Sequence, residues 1–204
     1  MSKFSVIFGS EIKSYHDAML SNDQWPCKSL IKSNDDLVWF WIETNHFFNC
    51  SLWEEEDQAR RVYVQDIEIV KNKRNIDLFN QKRNDAIEMI DDLILATYET
   101  NKILEPQFIN SETLGSIIDR LSIASLKIHN MQIQANREYI NVEKKEILRF
   151  KLNQLKQQRE DLVYCHDQIH KGLSDGSILY KTYKQHKMYN DKDLNPYLSG
   201  QKSK

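Results

Sequence analysis

The sequence predicts an all-α protein, an antiparallel helical bundle of about five main helices with a C-terminal strap. Three observations carry this. Only 5 glycines and 3 prolines occur in 204 residues, too few breakers for a strand-rich architecture. Glu, Lys, Leu, Ile, Gln and Asn dominate, a composition that favours helix. Apolar residues recur at three- and four-residue spacing over long runs separated by short polar connections, the pattern of amphipathic rods packed side by side. A single domain is expected over residues 1–199, with 200–204 as a disordered tail.

The first helix is expected from about Ser5 to Leu20, and Pro26 bars its continuation. The second begins after Ser33, read as its N-cap, with Asp36 an acid in the first turn. It carries Leu37, Phe40, Trp41, Phe48 and Leu52 as an approximate stripe and ends near Arg61. The third runs from Asp66 to about Lys102, roughly 50 Å at 1.5 Å per residue. Ile69, Ile76, Ile87, Ile90 and Ile94 share one of its faces, and Pro106 stands just past its end. The fourth is the segment SETLGSIIDRLSIASLKIHNM, Ser111 to Met131, capped by Ser111 or Thr113. The fifth runs from about Tyr139 to Lys171, with leucines near heptad spacing and Gly172 as C-cap. A short helix is expected over Ile178 to Met188. The ending KMYNDKDLNPYL is too apolar to hang loose and should fold back over the bundle.

The formal net charge is -2, so no global basic field awaits a nucleic acid, and aromatic and basic residues do not interleave on one face. Cys27, Cys50 and Cys165 are too far apart for a metal or redox pair, which fits a reducing cytoplasm. The N-terminus lacks the apolar run of a signal peptide, and LVWFWI at Leu37 to Ile42 is too short to span a bilayer. No Gly-x-Ser-x-Gly, phosphate-cradling glycine loop or dinucleotide fingerprint occurs, so nucleophilic catalysis has no support.

The fourth helix carries the strongest functional signal. At 100° per residue, Ile117, Leu121, Ala124, Ile128 and Met131 share one face, and Ile118 and Leu126 widen it. The remaining sector holds Glu112, Ser116, Asp119, Arg120, Lys127 and Asn130, with Ile123 among them. A helix apolar on most sides is central in its bundle, so this sector must face a cleft or polar partners. Asp119 paired with an arginine of another helix to hold register is the ordinary alternative. On the third helix, Lys73, Asp77, Asn80, Asn84, Glu88 and Asp91 form a strip beside the isoleucines, with Arg83 inside the isoleucine stripe. Its amides are weaker choices than Lys or Glu for a merely solvated face. Arg83, Arg120 and Lys127 are expected to grip an anionic group such as phosphate, oriented by Asp77, Asn80, Asn84 and Asp119, with Glu112 and Ser116 alongside.

A second reading is enzymatic. Glu54 with Asp57, and Glu88 with Asp91, are acidic pairs at i, i+3, which put two carboxylates on one side of a helix. Facing each other, they would hold Mg²⁺, the one cofactor these residues suit. That pattern resembles the all-helical nucleoside triphosphate pyrophosphohydrolases. His166 and His170 lie at i, i+4 with no third ligand in view, and an exposed or partly buried pair is expected. His46 reads as a polar shoulder of the second helix, and His129 as a candidate acid or base.

LWEEEDQAR, KRNIDLFNQKRNDAIEMID, SETLGSIIDRLSIASLKIHNM and KMYNDKDLNPYL, in this order from Leu52 to Leu198, resemble the signatures of a bacterial family, domain of unknown function 4254. GSIIDRLSIASLKI also resembles a pattern in uncharacterised proteins encoded beside glycosyltransferases. Two departures stand out. Glu54 occupies a position where the family often has histidine, and Leu114 one where it often has proline. The resemblance carries no activity with it. It implies a setting in cell-surface polysaccharide synthesis and a nucleotide-sugar or sugar-phosphate as the anionic ligand. It also leaves open a scaffold that docks a glycosyltransferase. The near-heptads of the fifth helix suit a homodimer.

Overall fold

The computed structural model describes residues 7–27, 36–98, 108–186, 188 and 191–200. It is an all-α bundle. The long helices are α1 (Gly9–Leu20), α2 (Leu37–Ala59), α3 (Asp66–Tyr98), α4 (Leu114–Ala135) and α5 (Val142–Asp175). Residues 60–65 and 136–141 are short connections, so α2 packs on α3 and α4 on α5 as hairpins. The sequence places α4 at the centre, and it does pack against all four other long helices. Leu114, Ile117, Ile118 and Leu121 of α4 are fully buried with Ile12, Ile42 and Ile90 of its neighbours. At about 1.5–3 kcal/mol per fully buried aliphatic side chain, this core dominates the packing energy.

Helix ends follow local chemistry. Thr113 caps α4, its Oγ1 accepting from Ser116 N at 3.2 Å. Asn141 caps α5 by accepting from Lys144 N at 2.8 Å, so α5 starts at Val142 rather than Tyr139. The cap of α2 is Asp36, which accepts from Val38 N at 3.1 Å and takes the role expected of Ser33. Ser33 lies outside the described residues, as do Ser5, Lys102, Pro106 and residues 201–204 of the expected tail. The C-cap of α5 is Gly176, at φ 77°, in place of Gly172. Gly172 is instead a packing glycine inside the helix. A Cβ there would lie 2.5 Å from Ile178 Cδ1.

Ile178 also marks the main departure from expectation. Instead of a helix to Met188, Ile178–Leu179 forms a short strand β2, paired in parallel with β1, Phe108–Ile109. Residues 180–186 then run without helix along α3. Tyr180, Lys184 and Gln185 meet Asp91, Asp92 and Glu88 of α3. Extended pairing with residues 108–109 satisfies backbone groups that a lone short helix would leave unpaired at both ends. The strap ends in a single turn, α6 (Pro196–Ser199), on which Tyr197 is exposed.

Candidate functional site

Two asparagines a turn apart on α2, Asn45 and Asn49, face α4 and are buried. Asn45 Nδ2 donates to Asp119 Oδ1 at 2.9 Å, and Asn49 Nδ2 lies 2.8 Å from the same oxygen and 3.0 Å from Ser122 Oγ. Ser122 in turn meets His46 Nδ1 at 2.7 Å. His46 is fully buried, stacked between His16 (4.4 Å between ring centroids) and Trp25 (5.6 Å). It is therefore no surface shoulder. Burial holds its pKa down at about 3, so the ring is neutral.

Arg83 of α3 approaches the same oxygen of Asp119, with Nε 3.9 Å from Oδ1. That separation is Coulombic rather than a hydrogen bond, and the buried Nε has no hydrogen-bond partner. The pairing expected between Asp119 and a second helix's arginine is thus present but long. The carboxylate already receives two amides, and the guanidinium is left only partly satisfied.

Arg83 lines a hollow of about 450 Å³ between α2, α3 and α4, together with Asn49, Trp53, Asn80 and Ile123. A second hollow of about 450 Å³ lies between α4 and α5 and contains Glu112, Arg120, Ile123 and Lys127. A third, of about 540 Å³, lies between the C-terminal half of α4, the N-terminal half of α5 and the side of α2 that carries Trp53, and contains Trp53, Lys127, Asn130 and Leu155. The three share walls. Ile123 belongs to the first and second, Trp53 to the first and third, and Lys127 to the second and third. They meet around Arg120, Ile123, Lys127 and Asn130, which the 3, 4, 3 spacing aligns on one side of α4. The polar sector of this greasy helix therefore faces a trough, while Asp119 at its edge is sunk into a buried network.

The remaining candidates divide. Arg120 is paired with Glu112 at 2.6 Å within the second hollow. Asp77 lies on the exposed shoulder of α3, paired with Lys73. Asn84 is buried, and Ser116 belongs to the α4 cap, its Oγ 2.9 Å from Thr113 Oγ1.

The four acids of the metal reading do not converge. Glu54 accepts from Gln58, Asp57 pairs with Arg60, and Glu88 pairs with Lys184 of the strap. Asp91 is buried at the start of α4, accepting from Gly115 N at 2.7 Å and Tyr180 Oη at 2.6 Å. Its carboxylate serves the N-terminal end of a helix, where negative charge is favoured. Among the described residues no cluster of three or more metal-ligating side chains forms. His166 and His170 are buried rather than exposed. His166 Nδ1 lies 3.0 Å from Asp167, and His170 Nδ1 lies 2.8 Å from Tyr98 Oη.

Asn45, Asn49 and Trp53 are functional candidates that pattern reading passes over, because α2 looks like an aromatic helix. Their signal was present. Asparagine is a poor helix former, and a repeated i, i+4 pair inside a helix asks for a tertiary reason.

Fold and trough together define an all-α helical bundle with a mixed-charge cleft between its rods and no described helix long and apolar enough to cross a membrane. The chain belongs to the family described as protein of unknown function (DUF4254), which it matches over residues 39–182. That span runs from Trp39 in α2 into the strap as far as Thr182 and so includes every wall of the trough. No curated protein and no solved structure matches the chain.

Proposed function

We propose that the trough binds an anionic, phosphate-bearing small molecule, with Arg83 and Lys127 as its gripping cations. Arg83 carries the reading. Its guanidinium lies at the hollow's edge, its side chain only 26% exposed, and its nearest carboxylate is 3.9 Å away and already engaged by two amides. Arg60 and Arg120, by contrast, have carboxylates at 3.2 and 2.6 Å. Lys127 makes no ion pair with a described residue. A planar guanidinium sheltered from water and short of partners suits a bidentate phosphate, and the apolar walls strengthen the contact. Asn80 beside it offers an amide to the ligand. A nucleotide-sugar or sugar-phosphate ligand, a cytoplasmic location and a setting in cell-surface polysaccharide synthesis belong to the same reading.

Isothermal titration with pyrophosphate and with uridine diphosphate-glucose, each with and without Mg²⁺, tests it. The wild type should bind at least one of them without metal, and Arg83→Gln should weaken binding about tenfold or more with unchanged helicity. Binding by neither, or equal binding by Arg83→Gln, would overturn the reading.

A further inference from the structure

The third hollow differs from the other two in its chemistry. Trp53 of α2 and Leu148 and Leu155 of α5 contribute apolar surface. Facing across it are two amide pairs at i, i+4, Asn130 with Gln134 on α4 and Gln154 with Gln158 on α5. The side chains of Gln134, Gln154 and Gln158 make no hydrogen bond to a described residue, while the Asn130 side chain spends one on Leu126 O at 2.9 Å. Four amides, each able to donate and accept, thus share one lining with an indole and two leucines, Gln154 and Gln158 at its exposed side. Two lysines, Lys127 and Lys151, and one carboxylate, Asp57, complete the polar lining.

This set matches a particular ligand class. A lipid chain has no use for four amides. An anion alone has no use for an indole. A pyranose has an apolar C–H face that packs on an aromatic ring, whose π face is electron-rich. Its rim of hydroxyls both donates and accepts, as the amides do. The volume of about 540 Å³ falls in the range of small-molecule sites, about 300–1,000 Å³.

We infer that the hollow between Trp53, Leu148 and Leu155 seats a neutral sugar ring, with its hydroxyls held by the facing amides of α4 and α5. The inference rests on the phosphate reading above. It deepens that reading by assigning the uncharged part of the ligand to a subsite, joined to the Arg83 hollow through their shared Trp53 and to the α4–α5 hollow through Lys127.

The test is titration of the full chain with inorganic phosphate, uridine monophosphate and four hexose 1-phosphates (glucose, galactose, mannose and N-acetylglucosamine). At least one hexose 1-phosphate should bind about tenfold or more tighter than phosphate. Trp53→Leu should erase that advantage, bringing the affinity for the hexose 1-phosphate down to that for phosphate. Trp53 also packs against the buried Trp25 cluster, so the double variant Gln134→Leu, Gln158→Leu supplies an independent arm that should lose the same advantage. Equal affinity for phosphate and all four sugars would overturn the sugar subsite and leave the phosphate reading standing. Tighter binding of uridine monophosphate through Trp53 would overturn it in favour of a base. If no phosphate compound binds the wild type, both readings fall together.

Discussion

Tyr180 donates its hydroxyl to the Asp91 carboxylate at 2.6 Å, fastening the C-terminal strap to α3 where α4 begins. The tyrosine oxygen also accepts from Leu114 N at 3.0 Å, so one side chain serves both a buried acid and a helix end. This latch positions α4, whose far side builds the trough.

Tyr180→Phe should therefore destabilise the protein by about 1–3 kcal/mol, since it leaves a buried acceptor and a helix N–H less satisfied. Urea unfolding at pH 7 measures this. A change below about 0.5 kcal/mol, the range of neutral surface substitutions, would show that the strap does not hold α4.

Asp91 gives the latch a pH signature. Burial raises its pKa above the ordinary 3.8, against hydrogen bonds from Tyr180, Thr113 and Gly115 that lower it. With the folded value above the unfolded one, the native state keeps its proton longer. Stability contributed by this group is present below 3.8 and lost as pH rises through the folded value. Asp91→Asn keeps the acceptor oxygen and removes the titration. Wild type should therefore lose stability relative to Asp91→Asn as pH rises from 3.8, and parallel profiles would refute the assignment.

The buried histidines act in the opposite pH direction. Burial lowers His46 to about 3 and His170 to about 4, with the neighbouring His166 adding to the second shift and Asp167 opposing it. Both folded values lie below the unfolded 6.5, so unfolded chains take up protons first as pH falls. Stability is then lost from 6.5 downward, at up to about 1.4 kcal/mol per pH unit for each ring. His170→Gln should lose less stability than wild type between pH 6.5 and pH 5, by on the order of 1–2 kcal/mol, in urea titrations. Identical losses would mean that His170 does not titrate abnormally.

Two glycines should respond differently to the same substitution. A Cβ on Gly115 would lie 2.6 Å from the Ile87 carbonyl oxygen and 2.7 Å from Asp91 Oδ1, where α4 touches α3. A Cβ on Gly172 meets only side-chain atoms of Ile178, Cδ1 at 2.5 Å, Cγ1 at 2.6 Å and Cβ at 3.1 Å, and no backbone or carboxylate. Gly115→Ala should cost about 1–3 kcal/mol or more and Gly172→Ala clearly less. Thermal melts of the two variants rank them, and the reverse order would contradict the packing.

Particular residues show where pattern reading succeeds. Thr113 as one of two candidate caps, the isoleucine stripe of α3 and the central place of α4 all follow from local chemistry and the helical period, and the structure takes Thr113 over Ser111. Asp119 was legible as a carboxylate that needs partners, because a charge on a nearly all-apolar helix cannot be left alone. Its partners were less legible. Arg83 lies within the isoleucine stripe and suggests itself, whereas Asn45 and Asn49 were hidden among the aromatics of α2.

The errors share a cause. Glu88 and Asp91 lie on one side of α3, yet one turns to the strap and the other to the start of α4, because a strap that pattern reading makes helical is extended beside them. Gly172 looks like a terminator because glycine commonly ends helices, but Ile178 occupies the space its side chain would take.

By itself, the sequence determined which segments are rods, where most of them stop, and the angle at which each side chain leaves its own rod. Only the tertiary structure decided which polar sector meets which: that Asp119 goes inward to Asn45 and Asn49, and that Trp53 joins the amides of α4 and α5. The physical reason is that the 100° helical step sets directions within a helix. The rotation of one helix against another comes from packing among all of them at once, and no single segment encodes it.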